Sequence, residues 1–423
     1  MRSGDMKQRA LRAAVLTLVL IAAVLWPQGA VAQIRVSASP GGSFQSPINR
    51  KGVEAYARIL RLDEDQRQAI LALFEGYRSG IREVQQETKK LAKEMQEEFA
   101  DSMDVSALKD AAKKFEPLTN RTQELEKQFF DDLHSLLTEE QQARVPSLER
   151  YRRRETNMRF SMVAGARVDL LEIADRLKVA EADPGVAQAL ESYEMEMDRA
   201  LTVREGAMAE MEKQNQEMAE KLMENMDFSA VNSMMKKMIE MDRPLRELNK
   251  TYARRIGEAL PEGKAAEFER EFKLRAFPLV YREPHIVTEL RAALKLTDLS
   301  ESQRTEIEQL QRGYEREAAG INRRWALAIE ERDDKGIIPA MAMVTGGGRD
   351  NPTAEPRKAR RDLDKQTASK LKSLLNDAQV AKLPEAPKRS QQEEMMEMMG
   401  MDIDPELMSG EDGWGAFGSG EDD

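Results

Sequence analysis

Apolar residues recur at helical steps through most of the chain. Ile70, Leu73, Tyr77, Ile81, Val84, Leu91 and Met95 are separated by three, four or seven positions, which places them in a narrow stripe on one helix. A single helix over residues 64–100 would be about 55 Å long at 1.5 Å per residue. A second stripe, Leu108, Phe115, Leu118, Leu125, Phe129 and Leu133, follows the candidate caps Asp104 and Ser106. The turn at 101–104 is short, so the two helices are expected to fold back as an antiparallel hairpin. Pro117, and Pro244 further on, fall inside second helices, where proline is expected to kink the helix or break it in two.

The pattern repeats. Leu62-Asp-Glu-Asp-Gln-Arg and Leu299-Ser-Glu-Ser-Gln-Arg align without a gap as far as Tyr77 and Tyr314. Asp104-Val-Ser-Ala-Leu108 aligns with Asp227-Phe-Ser-Ala-Val231, and that register holds to Leu137 and Leu260. Within it, Leu125-Glu-Lys, Leu248-Asn-Lys and Leu363-Asp-Lys are each followed by apolar residues eight and twelve positions on: Leu133 and Leu137, Ile256 and Leu260, Leu371 and Leu375. Shared register at this length predicts three tandem copies of one helical module, at 51–157, 158–284 and 285–386. Each is read as two long helices and a short third one. In the third copy Gly336 to Pro356, with Gly346-Gly347-Gly348, replaces helix with a loop. No Lys-Ser/Thr follows the glycines and no strand precedes them, so the loop is a hairpin tip and not a phosphate cradle.

A short motif marks the module ends: Leu62-Asp63-x-x-Gln66, Leu137-Thr138-x-x-Gln141, Leu299-Ser300-x-x-Gln303 and Leu375-Asn376-x-x-Gln379. Asp63, Thr138, Ser300 and Asn376 are good N-cap residues, and a Gln three positions later can return a hydrogen bond to the cap's own N–H. The motif is therefore a helix start. Its Leu would normally staple to an apolar residue at the fourth helical position, but Arg67, Gln142 and Arg304 stand there, and only Val380 fits. The Leu is left with filling the hairpin base, where the two motifs of one module meet, or with touching a partner. The second module has Leu177-Lys178-Val179-Ala180-Glu181 and Leu260-Pro261-Glu262-Gly263 in the corresponding places and has lost both motifs.

Paired Leu-Thr-x-x-Gln motifs, one opening a long helix and one following a second, resemble the Spy/CpxP family of periplasmic proteins. Leu137-Thr-Glu-Glu-Gln141 matches outright, and Thr122 to Gln142 looks like the end of such a module. The resemblance covers the first and third modules. It implies an all-helical protein that cradles unfolded clients without ATP or acts in envelope-stress and metal responses. Three fused modules depart from the family's usual single-module dimer.

Composition adjusts this picture more than it adds to it. One third of the residues are charged and only 5% are aromatic, which suits long coiled-coil-like helices with wet faces. The fold class expected is all-α: elongated tandem antiparallel helical hairpins with a disordered acidic tail. Arg2, Lys7, Arg9 and Arg12 precede the apolar run Ala13–Trp26 and the small residues Ala30-Val31-Ala32. This reads as a signal peptide over 1–32 with cleavage after Ala32, then a linker at 33–50 and a chain exported to the periplasm or cell envelope. Contact with a membrane is expected only through an uncleaved signal. There is no cysteine, so no disulfide supports the fold outside the cell. The net charge is −11. The tail at 387–423 holds eleven acids against two bases. The remainder lacks the basic face that nucleic-acid binding requires.

Eleven of the 25 methionines lie between Met195 and Met241, and Met208, Met211, Met218 and Met226 continue the stripe of Val186, Leu190, Tyr193 and Met197. They suit a core seam, or an adaptable surface for hydrophobic clients. Soft-metal binding, with Cu(I) the natural ion, is the third use of such residues. Met234, Met235, Met238 and Met241, or the tail's Met395, Met396, Met398, Met399 and Met401, have the density for it. His134 and His285 are the only histidines, with no spacing for a zinc site. No nucleophile–base pattern is visible, so neither an enzyme nor a cofactor is expected. Trp414 and Phe417 in the tail are a short docking element or have no partner. The function expected is an exported, non-enzymatic binding protein, chaperone-like towards unfolded or hydrophobic protein segments and capable of homo-oligomerising. The alternatives are a helical scaffold of the envelope and a Cu(I)-binding envelope protein.

Overall fold

The computed structural model describes residues 47–102, 106–158, 161, 163–180, 183–225, 228–336 and 351–386, with side chains described there except at 96–113, 212–232, 234 and 235. The proposed signal peptide and nearly all of the linker, the glycine triplet, the tail with its methionines, Trp414 and Phe417, and the residue Met226 lie outside them. Every regular element among the described residues is a helix. In chain order, α1 (Arg50–Ile59) leads into the long α2 (Glu64–Ser102); α3 (Ser106–Ser135), α4 (Glu139–Gln142) and α5 (Val145–Asn157) complete the first copy. The second contains α6 (Leu170–Arg176), α7 (Pro184–Asn225), α8 (Phe228–Ala259), α9 (Glu262–Ala276) and α10 (Pro278–Tyr281). The third contains α11 (His285–Leu294), α12 (Glu301–Asp334), α13 (Ala354–Leu374) and α14 (Asp377–Val380).

The apolar stripes face inward as their spacing predicts. Ile70, Tyr77, Ile81 and Val84 of α2 are buried, as are Phe115, Phe129 and Leu133 of α3. The shared register is visible in the burial itself: Leu133, Ile256 and Leu371, at matched positions of the three copies, are each 0% exposed. Pairings across each hairpin fix its direction. Glu87 meets Arg121 at 3.0 Å, Gly80 abuts Leu125 and the rings of Tyr77 and Phe129 lie 5.8 Å apart, so α2 and α3 are antiparallel. Likewise Asn322 bonds Arg360 and Tyr314 bonds Asp364 between α12 and α13. In the second copy Tyr193 meets Asn249 and Tyr252.

Two expectations change. α3 and α8 run unbroken through Pro117 and Pro244. Neither helix is broken in two: each proline removes one hydrogen bond, and packing of the flanking stripes against the partner helix offsets that loss. Each module also begins with a short helix, α1, α6 or α11, that the coarse reading of two long helices and one short one did not separate. α1 and α6 end in the same way. Arg61 and Lys178 both have φ of 53°. The N–H of each bonds back to the second residue before the cap, and the N–H of the next residue bonds to the third (Leu62 to Ala57, Val179 to Ala174, both 2.9 Å). This left-handed closure satisfies the last carbonyls and turns the chain into the long helix. It also corrects the alignment of the second module: Val179 is the counterpart of Leu62, and Leu177 that of Leu60.

The chain divides into two compact units, one formed by the described parts of Met1–Phe160 and Glu194–Met234, the other by Ser161–Tyr193 and the described part of Met235–Leu407. The division passes through the middle hairpin, between Tyr193 and Glu194. In the first unit, Tyr56, Tyr77, Phe129, Phe130 and Tyr151 form an aromatic cluster joining α1, α2, α3 and α5. The run Arg150–Arg154 of α5 then splits. Arg152 turns into the hairpin, while Arg150 and Arg154 reach Glu194 at 3.5 and 3.2 Å and Arg153 bonds Asp198 on α7. In the second unit, Ile286, Leu290, Ile307, Tyr314, Leu371 and Leu375 form the core of the third hairpin.

Candidate functional site

The four motifs form the most elaborate polar construction in the described chain. Asp63, Thr138, Ser300 and Asn376 each accept a hydrogen bond from the backbone N–H of their Gln, at 2.9, 3.3, 3.1 and 2.9 Å. Each Gln Oε1 in turn accepts from the cap's own N–H at 2.9–3.0 Å. Every copy is thus a closed capping box. The two motifs of a module also meet. Gln66 and Gln141 exchange amide hydrogen bonds of 2.9 and 2.8 Å. Gln66 Nε2 donates to the carbonyl of Leu136 at 2.8 Å, and Gln141 Nε2 to that of Arg61 at 3.2 Å. Those carbonyls belong to the residues just before the two motif leucines. Each amide therefore accepts two hydrogen bonds and donates two, which fills its capacity. In the third module Gln303 Nε2 bonds Gln379 Oε1 and the carbonyl of Leu374, and Gln379 Nε2 bonds the carbonyl of Asp298. Leu62, Leu137 and Leu375 are buried at these bases and Leu299 is half-buried. The leucines fill the base, and the glutamines clasp it. A Glu can close a capping box but cannot donate, so only Gln performs both tasks.

The middle module closes its base by other means. Val179 and Leu260 keep the buried apolar positions. Asp183 caps α7 through the N–H of Gly185 at 2.6 Å, and α9 starts after Pro261 with no side-chain cap. In place of an amide clasp, Arg275 pairs with Glu172 at 3.0 Å and Arg176 with Glu271, both between α9 and α6.

A second construction sits deeper in each hairpin and went unread in the sequence. The middle residue of each Leu-x-Lys triplet, Glu126, Asn249 or Asp364, lies beside the tyrosine of the first long helix, Tyr77, Tyr193 or Tyr314. Glu126 is buried and accepts two hydrogen bonds from Arg152, of 3.0 and 2.8 Å. Arg152 also bonds Glu155 at 2.8 Å, and Glu155 accepts from the Tyr56 hydroxyl at 2.9 Å. Two carboxylates thus share a buried guanidinium, and Glu126 Oε2 accepts no hydrogen bond among the described residues. Burial pushes the Glu126 carboxyl above its ordinary value, against the opposing pull of Arg152. The middle node is neutral. Asn249 accepts from Tyr193 Oη at 2.9 Å and donates to the carbonyls of Gly165 and Ala166, tying the 163–168 segment to the hairpin. The third is half-open: Tyr314 donates to Asp364 and accepts from Arg360, both at 2.8 Å. A polar residue standing on an apolar stripe was the available signal.

The candidate client-contact residues are placed only in part. Met211 is 6% exposed and Met208 half-buried, so neither forms an open apolar groove. The side chains of Met218 and Met226 lie outside the description. Among the described residues, the exposed large apolar side chains are Leu71, Met195, Val203 and Leu327. No group of three or more His, Cys, Asp or Glu able to hold a metal occurs there, and no helix is long and apolar enough to cross a membrane. An open groove of about 330 Å³ on the middle hairpin is lined by Gly185, Gln188, Ser192, Tyr252 and Arg255, without a convergent set of catalytic groups. No family model, no curated protein and no solved structure matches the chain.

Proposed function

We propose that this chain is an exported, non-enzymatic helical scaffold of the cell envelope, built to hold three braced hairpins. The observation that carries the reading is the use of the apolar stripes. Their described members are buried or half-buried, with Met197 and Met211 among the buried ones, and the described surface is dominated by charge. The hairpin bases of the first and third modules are closed by amide clasps, and the buried nodes tie neighbouring segments to the hairpins. These are devices of a fixed frame. The test is native-state hydrogen exchange on the purified mature chain. The scaffold reading expects strong protection at the bases of all three hairpins, unchanged by addition of an unfolded client. A client-induced loss or gain of protection along α7 would overturn it.

A second reading, chaperone-like holding of hydrophobic segments, is favoured by one feature: α7 exposes Met195 and Val203 and leaves Met208 half-buried. The paired motifs, in their resemblance to the Spy/CpxP type, point the same way. Suppression of aggregation of an unfolded client at stoichiometric amounts, lost when Met195, Val203 and Met208 are changed to Ser, is the outcome this reading expects.

A further inference from the structure

The helix α13 carries seven bases and three acids. Four of the bases, Lys358, Arg361, Lys365 and Lys372, are spaced by three, four and seven positions and are all exposed, so they form one stripe along its solvent face. One carboxylate, Asp362, lies within the stripe. Asp362 bonds Lys358 at 2.7 Å, and that hydrogen bond, with the nearby charges of Lys358, Lys365 and Arg361, holds its carboxyl below the ordinary value. Lys365 and Lys372 have no ion-pair partner among the described residues. Such a stripe is unusual in a chain whose net charge is −11, because that overall charge repels external polyanions. The same chain supplies the complement. Residues 393–406 contain Glu393, Glu394, Glu397, Asp402, Asp404 and Glu406 and no base.

We propose that the acidic segment 393–406 docks on the basic stripe of α13 and screens it. The connection is short enough. Lys382 pairs with Asp298 at 2.8 Å, Leu383 packs against the core of the third hairpin, and Gln379 and the Leu374 carbonyl share the Gln303 amide, so the chain leaves the third module beside the C-terminal end of α13. From Ala386 to Glu393 an extended chain reaches roughly 25 Å, and the stripe from Lys372 to Lys358 is about 21 Å long. Tethering raises the local concentration of the segment to the order of millimolar, so weak, screened ion pairs suffice. Docking leaves the helices as they are and hides a cationic face that would otherwise attract anionic surfaces.

Zero-length carbodiimide cross-linking of the full chain, read by mass spectrometry, tests this. The expected result is cross-links from Lys365 and Lys372 to carboxylates of 393–406, within one chain in an isotope-mixed sample. They should outnumber cross-links from the exposed Lys90 and Lys295 severalfold. They should disappear at roughly 1 M salt, where the screening length falls to about 3 Å. In K365E/K372E, whose helical circular dichroism should be unchanged because both sites are exposed, tail cross-links to α13 should be lost. Three results would each overturn the proposal: tail cross-links spread evenly over exposed lysines, cross-links mainly between heavy and light chains, or stripe-dependent binding of the wild-type chain to phosphatidylglycerol vesicles.

Discussion

The bases of the first and middle hairpins do the same job with opposite chemistry. In the first, two neutral glutamines close the junction and the charge lies deeper, in the Glu126–Arg152–Glu155 node. In the middle, ion pairs between α6 and α9 close the junction and the deeper node is neutral, built on Asn249 and Tyr193. Both modules bury an apolar residue at each motif position. What differs is how the remaining polar groups are satisfied, and that sets how each module responds to mutation and pH.

The sharpest way to break the comparison is to remove one partner from each deep node. Arg152→Leu strands two buried carboxylates and is expected to destabilise the first unit by about 3–5 kcal/mol. Asn249→Leu removes the acceptor of the Tyr193 hydroxyl and the donor to the Gly165 and Ala166 carbonyls and is expected to cost about 1–3 kcal/mol. Denaturant unfolding followed by exchange at α2 and at α8 separates the two. Equal losses would show that buried charge is not what distinguishes the nodes.

Next in size are the clasps. Gln66→Glu keeps the capping box but loses the donor and sets a carboxylate against the Leu136 carbonyl. It is expected to cost about 1–3 kcal/mol, and more than Gln66→Ala. In a double-mutant cycle Gln66 and Gln141 should couple by about 0.5–3 kcal/mol, the range of contacting residues. In the middle module Asp183→Ala removes only a cap, at about 1 kcal/mol. Additivity of the Gln66 and Gln141 changes would reduce the clasp to two separate caps.

The smallest effect is a pH dependence. The folded carboxyl of Glu126 is raised above its ordinary value of 4.5 by burial. Its contribution to stability is therefore complete below that value and is lost as pH rises through the folded one. Glu126→Gln should remove this slope from the first unit, while Asn249→Asp should introduce one of the same sign in the second. Thermal unfolding between about pH 4 and 8 reads both, and an unchanged slope in the Glu126 variant would show that the node does not titrate there.

The helices and the hairpin pairing were legible because stripe period and capping chemistry are local properties. The boundary near 157 also coincides with a division of the structure, whereas the middle module is shared between both units, which no local pattern signals. In the sequence the Leu-x-Lys triplets mark register. Their central residue carries the buried node, and the clue was polarity at a stripe position: Glu126 lies three residues before Phe129 and seven before Leu133. Arg150–Arg154 gave no such clue, since a run of arginines on a helix is ordinarily a solvated face, and only the positions of Glu126, Glu194 and Asp198 divide it.

By itself the sequence determined the all-helical class, the antiparallel pairing within each repeat and the four helix starts, because these depend on residues within a few turns of one another. Tertiary structure alone decided what the motif glutamines do with their second half. Oε1 keeps one local bond, accepted from the cap N–H three residues back, whereas its second bond and both bonds that Nε2 donates reach 70–80 residues away, to the partner glutamine and to the carbonyls of Leu136 and Arg61, and no spacing in a linear chain encodes a partner brought near only by folding.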